Sequence, residues 1–417
     1  MTKLAPSWLS ETPVQRLLAA LTAAGIEARF VGGCVRDALL RQETGDIDLA
    51  TPARPEAVMA ALAAARIKVL PTGIAHGTVT AVISRRSFEI TTLRRDVETD
   101  GRHAVVAFGA DWSEDAARRD FTINALYLSP DGTIYDPAGG EADLAARRVR
   151  FVGDPATRIA EDVLRILRYY RFEARFGGGE GDAGARAAYR AAVAKLPSLS
   201  ADRVWRELGR LLSLPRPVRA LKLMQEDGVL AAILPEATRL DRLERAIEPA
   251  ALRPSSPDAL DWNEMMGSDR VYNLAALIDV DRAGAVSVAD RLRLSGKERA
   301  RLIGLARPWP TIDVADAKGQ RLAIYRLGHE RFLNVLTLLN ADTPSSLAGF
   351  GTIAVRAARW PIPVFPLGGD DVTALGIAPG PRVGRLLSAV RRWWEEGDFA
   401  ADRTACLARL KEIAGLP

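Results

Sequence analysis

The stretch V-G-G-C-V-R-D-A-L-L-R-Q-E-T-G-D-I-D-L-A-T, Val31 to Thr51, decides how this chain is read. A glycine pair leads into a short helix beginning near Val35, and two aspartates two positions apart follow inside an apolar run with the look of a strand. Residues i and i+2 of a strand share a face, so Asp46 and Asp48 project together while Ile47 and Leu49 face a core. Two carboxylates on one face repel unless a cation lies between them. An all-oxygen ligand set favours a hard ion such as Mg²⁺, which also binds substrate phosphates. Gly32 and Gly33 lack a Cβ, so their N–H groups can approach a polyphosphate at the helix start. The combination points to nucleotide chemistry.

Working outward, a lone Asp-x-Asp is usually a solvated turn, and a lone Gly-Gly is usually only a turn; the pairing gives the signal its weight. The G-G-x-V-R-D pattern followed by G-D-x-D-x-A-T resembles the signature of the DNA polymerase β-like nucleotidyltransferases. The matching branch contains the CCA-adding tRNA nucleotidyltransferases and bacterial poly(A) polymerases. That resemblance implies nucleotide contact at Gly32, Gly33 and Arg36, and metal ligation at Asp46 and Asp48.

The chain has 417 residues, 48% hydrophobic and 26% charged, a globular balance that predicts two or more domains. No apolar run of about 18 residues is present, so no membrane association is expected. Met1 to Pro13 lacks a secretory layout, and the only cysteines, Cys34 and Cys406, fit a reducing cytoplasm rather than a disulfide framework. Three histidines make a multi-histidine metal site improbable. A net charge of +5 fits a polyanionic partner, though a mildly basic enzyme would look the same.

The fold class expected is α+β: an N-terminal mixed-sheet nucleotidyltransferase head followed by an all-helical neck, body and tail. The boundaries are 1–148 for the catalytic head, 149–250 for the neck and 251–417 for body and tail. Helical spacing marks Val14 to Ala24 and Pro55 to Ala65, and strands are expected at Ala28 to Val31, Thr78 to Ser84 and Ser87 to Thr92. Arg85-Arg86 is the expected turn between the last two. Arg95 to Trp112 reads as a polar loop, and Phe121 to Leu128 as a short strand or strand-helix junction. Ile159 to Phe176 reads as one long basic helix, and Ser200 as the N-cap of a helix from Ala201 to Leu212. Arg253 to Pro257 reads as a linker, Val286 to Leu305 and Lys318 to Leu338 as helices, and Trp360 to Pro381 as irregular. A final helix is expected over Val383 to Trp394.

Glu89 is the best candidate for a third acidic group, on a strand beside the aspartates, where it could orient or deprotonate an attacking hydroxyl. Ions held by Asp46 and Asp48 would neutralise a triphosphate and activate a 3′-hydroxyl; two-metal sites hold them roughly 3.5 to 4 Å apart. Mg²⁺ is the expected metal, with Mn²⁺ possible. In Arg118-Arg119-Asp120 at least one guanidinium could reach the nucleotide. Within the resemblance, R-R-D-F-T-I-N-A is a family motif, and Arg119 matches its nucleotide-contacting arginine.

The segment E-D-V-L-R-I-L-R-Y-Y-R-F, Glu161 to Phe172, spaces Asp162, Arg165, Arg168 and Arg171 three apart, on one broad helix face. A salt-bridged solvent face has the same spacing. Base recognition is the sharper account. Cytosine and adenine present an amino donor beside a ring acceptor, while uracil and guanine reverse the order, so one carboxylate and one guanidinium could admit C and A only. The segment is similar to the E-D-x-x-R-x-x-R-x-x-R-F motif of class II CCA-adding enzymes, with Val163 where relatives often carry proline or alanine. The resemblance implies base selection by Asp162 and Arg165 and phosphate contact by Arg168 and Arg171. D-P-x-G-G-x-x-D-L at Asp136 to Leu144 and L-S-A-D-R-V-W-R-E-L at Leu199 to Leu208 also look like family motifs.

The function implied is template-independent addition of C, C and A to tRNA from CTP and ATP, with no obligatory protein partner evident. A poly(A) polymerase or A-adding enzyme is the alternative, and a non-catalytic tRNA-binding protein the alternative of another class. P-T-G-I-A-H-G-T-V-T, Pro71 to Thr80, looks like the tRNA-enzyme version, and the full-length loop after Arg95 speaks against a CC-only form. Arg203, Arg206 and the basic stretch Arg291 to Arg307 are expected to hold tRNA phosphates. Phe365 to Gly384 resembles the tail of many class II enzymes, which implies tRNA contact there too.

Overall fold

The computed structural model describes residues 3–99, 104–109, 111–179, 181–247, 269–310, 312, 315–343 and 350–416. The chain divides into two compact units, 1–235 and 236–417.

In the first unit, helix α1 (Thr12–Ala23) precedes strand β1 (Arg29–Val31), helix α2 (Gly33–Leu39), strand β2 (Ile47–Thr51) and helix α3 (Pro55–Ala64). Strands β3 (Lys68–Gly73), β4 (Thr78–Ile83) and β5 (Arg86–Thr92) follow, and later β8 (Tyr127–Leu128) and β9 (Ile134–Tyr135). The resulting seven-stranded sheet has the order β3-β4-β5-β2-β1-β8-β9. Its β2–β5 pair is parallel and the rest antiparallel, so the sheet is mixed as expected. One face carries Phe30, Ile47, Leu49, Val79, Phe88 and Ile90 against Leu17 and Leu21 of α1 and Val58 and Leu62 of α3. Period-two alternation then leaves Asp48 and Glu89 on the other face.

Several expectations need correction. Arg95 to Trp112 is no plain loop: strands β6 (Arg94–Thr99) and β7 (Ala104–Phe108) pair antiparallel as a separate two-stranded ribbon. A ribbon satisfies its backbone groups across the pair without the alternation of a half-buried strand, and that alternation is the usual strand signal. The β4–β5 turn is Ser84-Arg85, both at positive φ, and Arg86 already pairs with Ile83. Two left-handed central residues match the twist of a tight hairpin.

After β7 come α4 (Trp112–Ala117), a 3₁₀ turn at Thr122–Asn124 and α5 (Gly140–Ala145). Gly140 packs so closely on this turn that an added Cβ would lie 2.2 Å from the Thr122 carbonyl oxygen. The expected helix from Ile159 to Phe176 is two helices, α6 (Pro155–Glu161) and α7 (Arg165–Phe176), separated by Asp162 in extended geometry, φ −153° and ψ 106°. The break has a local cause. The Asp162 carboxylate accepts the Leu164 N–H at 3.1 Å, the side-chain competition by which aspartate interrupts helices. Helices α8 (Ala183–Ala192), α9 (Ala201–Leu212), α10 (Val218–Glu226) and α11 (Val229–Ile233) complete the unit. Ser200 stands at the N-cap position of α9, but its side chain makes no capping bond.

The second unit is helical among the described residues, with helices such as Leu240–Ile247, Arg270–Leu277, Pro381–Glu396 and Arg403–Ala414. Val286 to Leu305 is broken into Arg282–Arg291 and Gly296–Leu305 by a Ser295–Glu298 capping box. Lys318 to Leu338 is broken into Ala317–Leu327 and His329–Asp342 at Gly328, whose φ of 78° suits glycine. Trp360 to Pro381 is irregular apart from the short helix Gly369–Thr373. The stretch Arg253 to Pro257 lies outside the described residues. Among the described residues, no helix is long and apolar enough to cross a membrane.

Candidate active site

The parallel register of β2 on β5 sets Asp48 directly beside Glu89. Asp46, one residue before β2, is exposed, Asp48 is half-buried, and Glu89 is exposed on the same face. Among the described residues none of these carboxylates has a hydrogen-bond or ion-pair partner. Burial, then the neighbouring Glu89 and Asp46 charges, push the Asp48 carboxyl up to about 6, while Arg119 opposes them. Arg119 offsets only part of the negative charge on this face, and a bound cation would offset the rest. Its donors are all oxygen and fit a hard divalent ion. Among the described residues, no group of three or more acidic, histidine or cysteine side chains is placed to hold a metal ion by itself. Such a site would complete its coordination with waters and substrate phosphates, as Mg²⁺ commonly does.

The glycine turn adjoins these carboxylates through β1, the neighbour of β2. Gly32 has φ 75° and ψ −121°, a backbone state that a side chain would strain. Its hydrogen position faces Nη1 of Arg119, which would lie 3.6 Å from an added Cβ. Gly33 opens α2. Cys34 is buried beside Asp48, with its thiol toward the Val31 and Asp48 carbonyls, and burial raises it to about 12, so it is an inert filler.

Arg119 is anchored from behind. Asp115 of α4, 1% exposed, accepts Arg119 Nη2 at 2.9 Å and Arg118 Nη2 at 2.6 Å, and Tyr127 donates to it at 2.7 Å. The sequence reading missed Asp115, although its spacing of three and four from the two arginines was visible in D-A-A-R-R.

Arg36 is not an open nucleotide contact. It is 5% exposed, donates to Asp37 at 2.9 Å and to Asn124, and lies 4.2 Å from the Phe176 ring centroid. Arg168 of α7 donates to Asp120 at 2.9 Å, and Arg171 donates to Glu207 of α9 at 2.6 Å. Asp120 also accepts Asn124 at 3.0 Å. A continuous polar seam therefore joins the helix after the glycine turn to α7 and α9. Burial would raise the Asp120 carboxyl, but Arg168 and Asn124 hold it below the usual range.

That depression carries a sign. A folded pKa below the unfolded value contributes stability above the unfolded pKa, and the contribution is lost as pH falls through the folded pKa. Asp120→Asn is therefore expected to cost about 3 kcal/mol at pH 7, as for a broken buried pair. The cost should shrink toward pH 3, as read by urea unfolding across pH. A pH-independent cost would contradict the assignment.

Asp162 and Arg165 do not share a helix face. Asp162, between α6 and α7, accepts Arg203 of α9 at 2.7 Å, and Arg165, the first residue of α7, bonds the Arg158 carbonyl at 2.9 Å and Glu161. Arg203 thus sits on Asp162, while Arg206 is exposed. In the second unit the stretch Arg291 to Arg307 is largely paired: Arg291 with Glu236, Arg299 with Asp290, Arg301 with Asp269 and Glu330, and Arg307 with Asp342. Acids from outside the stretch make it a salt-bridged surface more than a bare cationic strip.

With this geometry in hand, similar proteins are informative. A family model described as the poly A polymerase head domain matches residues 28–150, and one described as a probable RNA and SrmB-binding site of polymerase A matches residues 182–240. The mitochondrial CCA tRNA nucleotidyltransferase 1 of Danio rerio is 32% identical over 93% of this chain and 87% of its own. The CCA-adding enzyme of Limosilactobacillus fermentum is 30% identical over 96% of each chain. The crystal structure of the Bacillus stearothermophilus CCA-adding enzyme in complex with CTP superposes with a TM-score of 0.74 at 30% identity, covering 97% of this chain and 98% of that one. A mixed-sheet head carrying paired acids beside a glycine turn defines a nucleotidyltransferase. The chain belongs to the CCA-adding tRNA nucleotidyltransferase family.

Proposed function

We propose that this chain adds C, C and A, without a nucleic-acid template, to the 3′ end of tRNA from CTP and ATP. The observation that carries this reading is the pairing of Asp48 with Glu89 across β2 and β5, beside Asp46, with Arg119 and the Gly32–Gly33 turn adjoining. In the step, the primer's 3′-oxygen forms a bond to the α-phosphorus, and the bond from that phosphorus to the α–β bridging oxygen breaks. Pyrophosphate leaves, and the hydroxyl proton passes to Glu89 or to water.

Divalent-metal dependence is general to the family. Asp46 and Asp48 are the residues that would hold the metal, two Mg²⁺ ions on our reading with Mn²⁺ able to substitute. Bound there, it would neutralise triphosphate charge and ease deprotonation of the attacking hydroxyl. The chain's own groups do the rest. Gly32 and Gly33 let backbone N–H groups approach the phosphates, and Arg119 supplies a fixed positive charge. Asp162 accepts the exocyclic amino group of C or A, and Arg165 donates to the adjacent ring nitrogen. Arg168 and Arg171 border the nucleotide from α7. Arg206 is read as a tRNA phosphate contact, and Arg203 as serving Asp162 first.

In domain terms we read 1–148 as the catalytic head, 149–250 as the neck and 251–417 as body and tail. A cytoplasmic location fits two unpaired, buried thiols at Cys34 and Cys406.

The test is incubation with Mg²⁺, each labelled NTP in turn, and tRNA ending before C, tRNA ending after C-C, or unrelated RNA. Incorporation of CTP and ATP that halts after the third nucleotide supports this reading. A long A tail would replace it with a poly(A) polymerase, addition of A alone with an A-adding enzyme, and no incorporation with a tRNA-binding protein.

A further inference from the structure

We infer that Asp115 is the positioning residue that presents Arg119 to the nucleotide's phosphates. The inference rests on the reading of Arg119 as a phosphate contact. Its basis is geometric. Asp115 divides its two carboxylate oxygens between the two arginines. Oδ1 accepts Arg118 through Nε at 2.9 Å and Nη2 at 2.6 Å. Oδ2 accepts Arg119 through Nε at 3.2 Å and Nη2 at 2.9 Å. Tyr127 braces the same oxygen, donating at 2.7 Å, while its own hydroxyl oxygen accepts Arg119 Nε at 3.2 Å.

Every bond that Asp115 makes to Arg119 uses the Nε and Nη2 edge of the guanidinium. Nη1 is left over, and it is the atom that lies against Gly32, 3.6 Å from where a Cβ would stand. Arginine's planar fork makes this possible: fixing one edge fixes the direction of the remaining donor. A free arginine would spread over several rotamers and lose entropy on each encounter with a triphosphate. Here the ordering cost falls in folding, and the donor is already aimed where the glycine turn admits phosphate.

The position of Asp115 fits that task and no solvent-facing one. It is 1% exposed, within an apolar cluster that includes Trp112, Ala116 and Tyr127. Burial alone would raise its carboxyl, but Arg119 and Arg118 hold it below the ordinary range, so the group is an anion at working pH. Tyr127 lies in β8, which pairs with β1, the strand that delivers Gly32. The tyrosine that braces Asp115 and the phosphate turn are therefore carried by adjacent strands, and their separation is set by the sheet.

The experiment compares Asp115→Asn, Tyr127→Phe, Arg119→Ala and the Asp115→Asn/Arg119→Ala double variant of the full chain. It measures KM and kcat for CTP and ATP, and calorimetric affinity for inorganic triphosphate with Mg²⁺. Asp115→Asn is expected to raise KM and weaken triphosphate binding about tenfold with a smaller change in kcat, as a charge-assisted bond is replaced by a neutral one. Tyr127→Phe, which removes only a hydroxyl, should move the same quantities the same way by about twofold to fivefold. It keeps the test valid should Asp115→Asn not fold. The double variant should bind triphosphate no more weakly than Arg119→Ala alone. If Arg119→Ala weakens triphosphate binding and neither Asp115→Asn nor Tyr127→Phe does, the positioning role is overturned. If Arg119→Ala itself leaves triphosphate affinity unchanged, the reading of Arg119 fails instead, and the inference with it.

Discussion

The double substitution Asp46→Asn/Asp48→Asn is expected to leave a folded protein that extends tRNA at least about 10³-fold more slowly, measured as single-turnover incorporation of CTP at saturating Mg²⁺. Metal-assisted charge stabilisation contributes several kcal/mol, and each 1.36 kcal/mol corresponds to about a tenfold change in rate. The structure adds a second expectation that separates chemistry from folding. Asp48 is half-buried between like charges, so its ionised form weakens the metal-free fold. The change to asparagine should leave the melting temperature of metal-free protein unchanged or raise it. Retention of the unmutated rate in well-folded protein would end the proposed mechanism. A large fall in melting temperature would show instead that the carboxylates hold the sheet together.

The second large effect concerns base choice. Asp162→Ala is expected to reduce the preference for CTP and ATP over UTP and GTP by about 10² or more, measured as kcat/KM ratios, because sites that read hydrogen-bond order discriminate through unpaired polar groups. Arg165→Ala should act in the same direction. The rest-state contacts refine this. Arg203 and the Leu164 N–H already occupy one position on each Asp162 oxygen, and Arg165 spends Nη1 on Arg158 and Glu161. Each carboxylate oxygen keeps a further lone pair, and Arg165 keeps Nη2, so the partners can steady the readers while the base is read. Unchanged ratios in both variants would remove base selection from these residues.

Much of the head was legible in the chain because its signals are local. The Gly-Gly turn, the Asp-x-Asp alternation and the apolar periods of α1 and α3 each lie within a window of a few residues, and each formed close to where it was expected. Glu89 was harder, being 41 positions beyond Asp48. It was expected on a strand beside the aspartates, and the parallel register of β2 on β5 puts it directly next to Asp48. The single helix expected over Ile159 to Phe176 was misread for a different reason. Its three-residue spacing was real, but one aspartate turned its carboxylate to the Leu164 N–H and ended the helix. Periodicity counts apolar positions and does not see that competition. Asp115 stood only three and four positions before its arginines, but Asp120 and Glu207, the partners of Arg168 and Arg171, were hard to single out for a related reason. Acids are common in this chain, and which acid meets which base over long separations is a property of packing.

The polar seam running from Asp37 through Arg36, Asn124, Asp120, Arg168 and Glu207 to Arg171 has a further consequence. An enzyme that reads bases without a nucleic-acid strand must supply its own gauge, a fixed spacing between the clamp on one end of the incoming molecule and the reader at the other. On the proposed reading, the hydrogen bonds and ion pairs of this seam would supply that gauge. Loosening any one of them should blur fidelity and turnover together, even where the altered side chain meets no ligand.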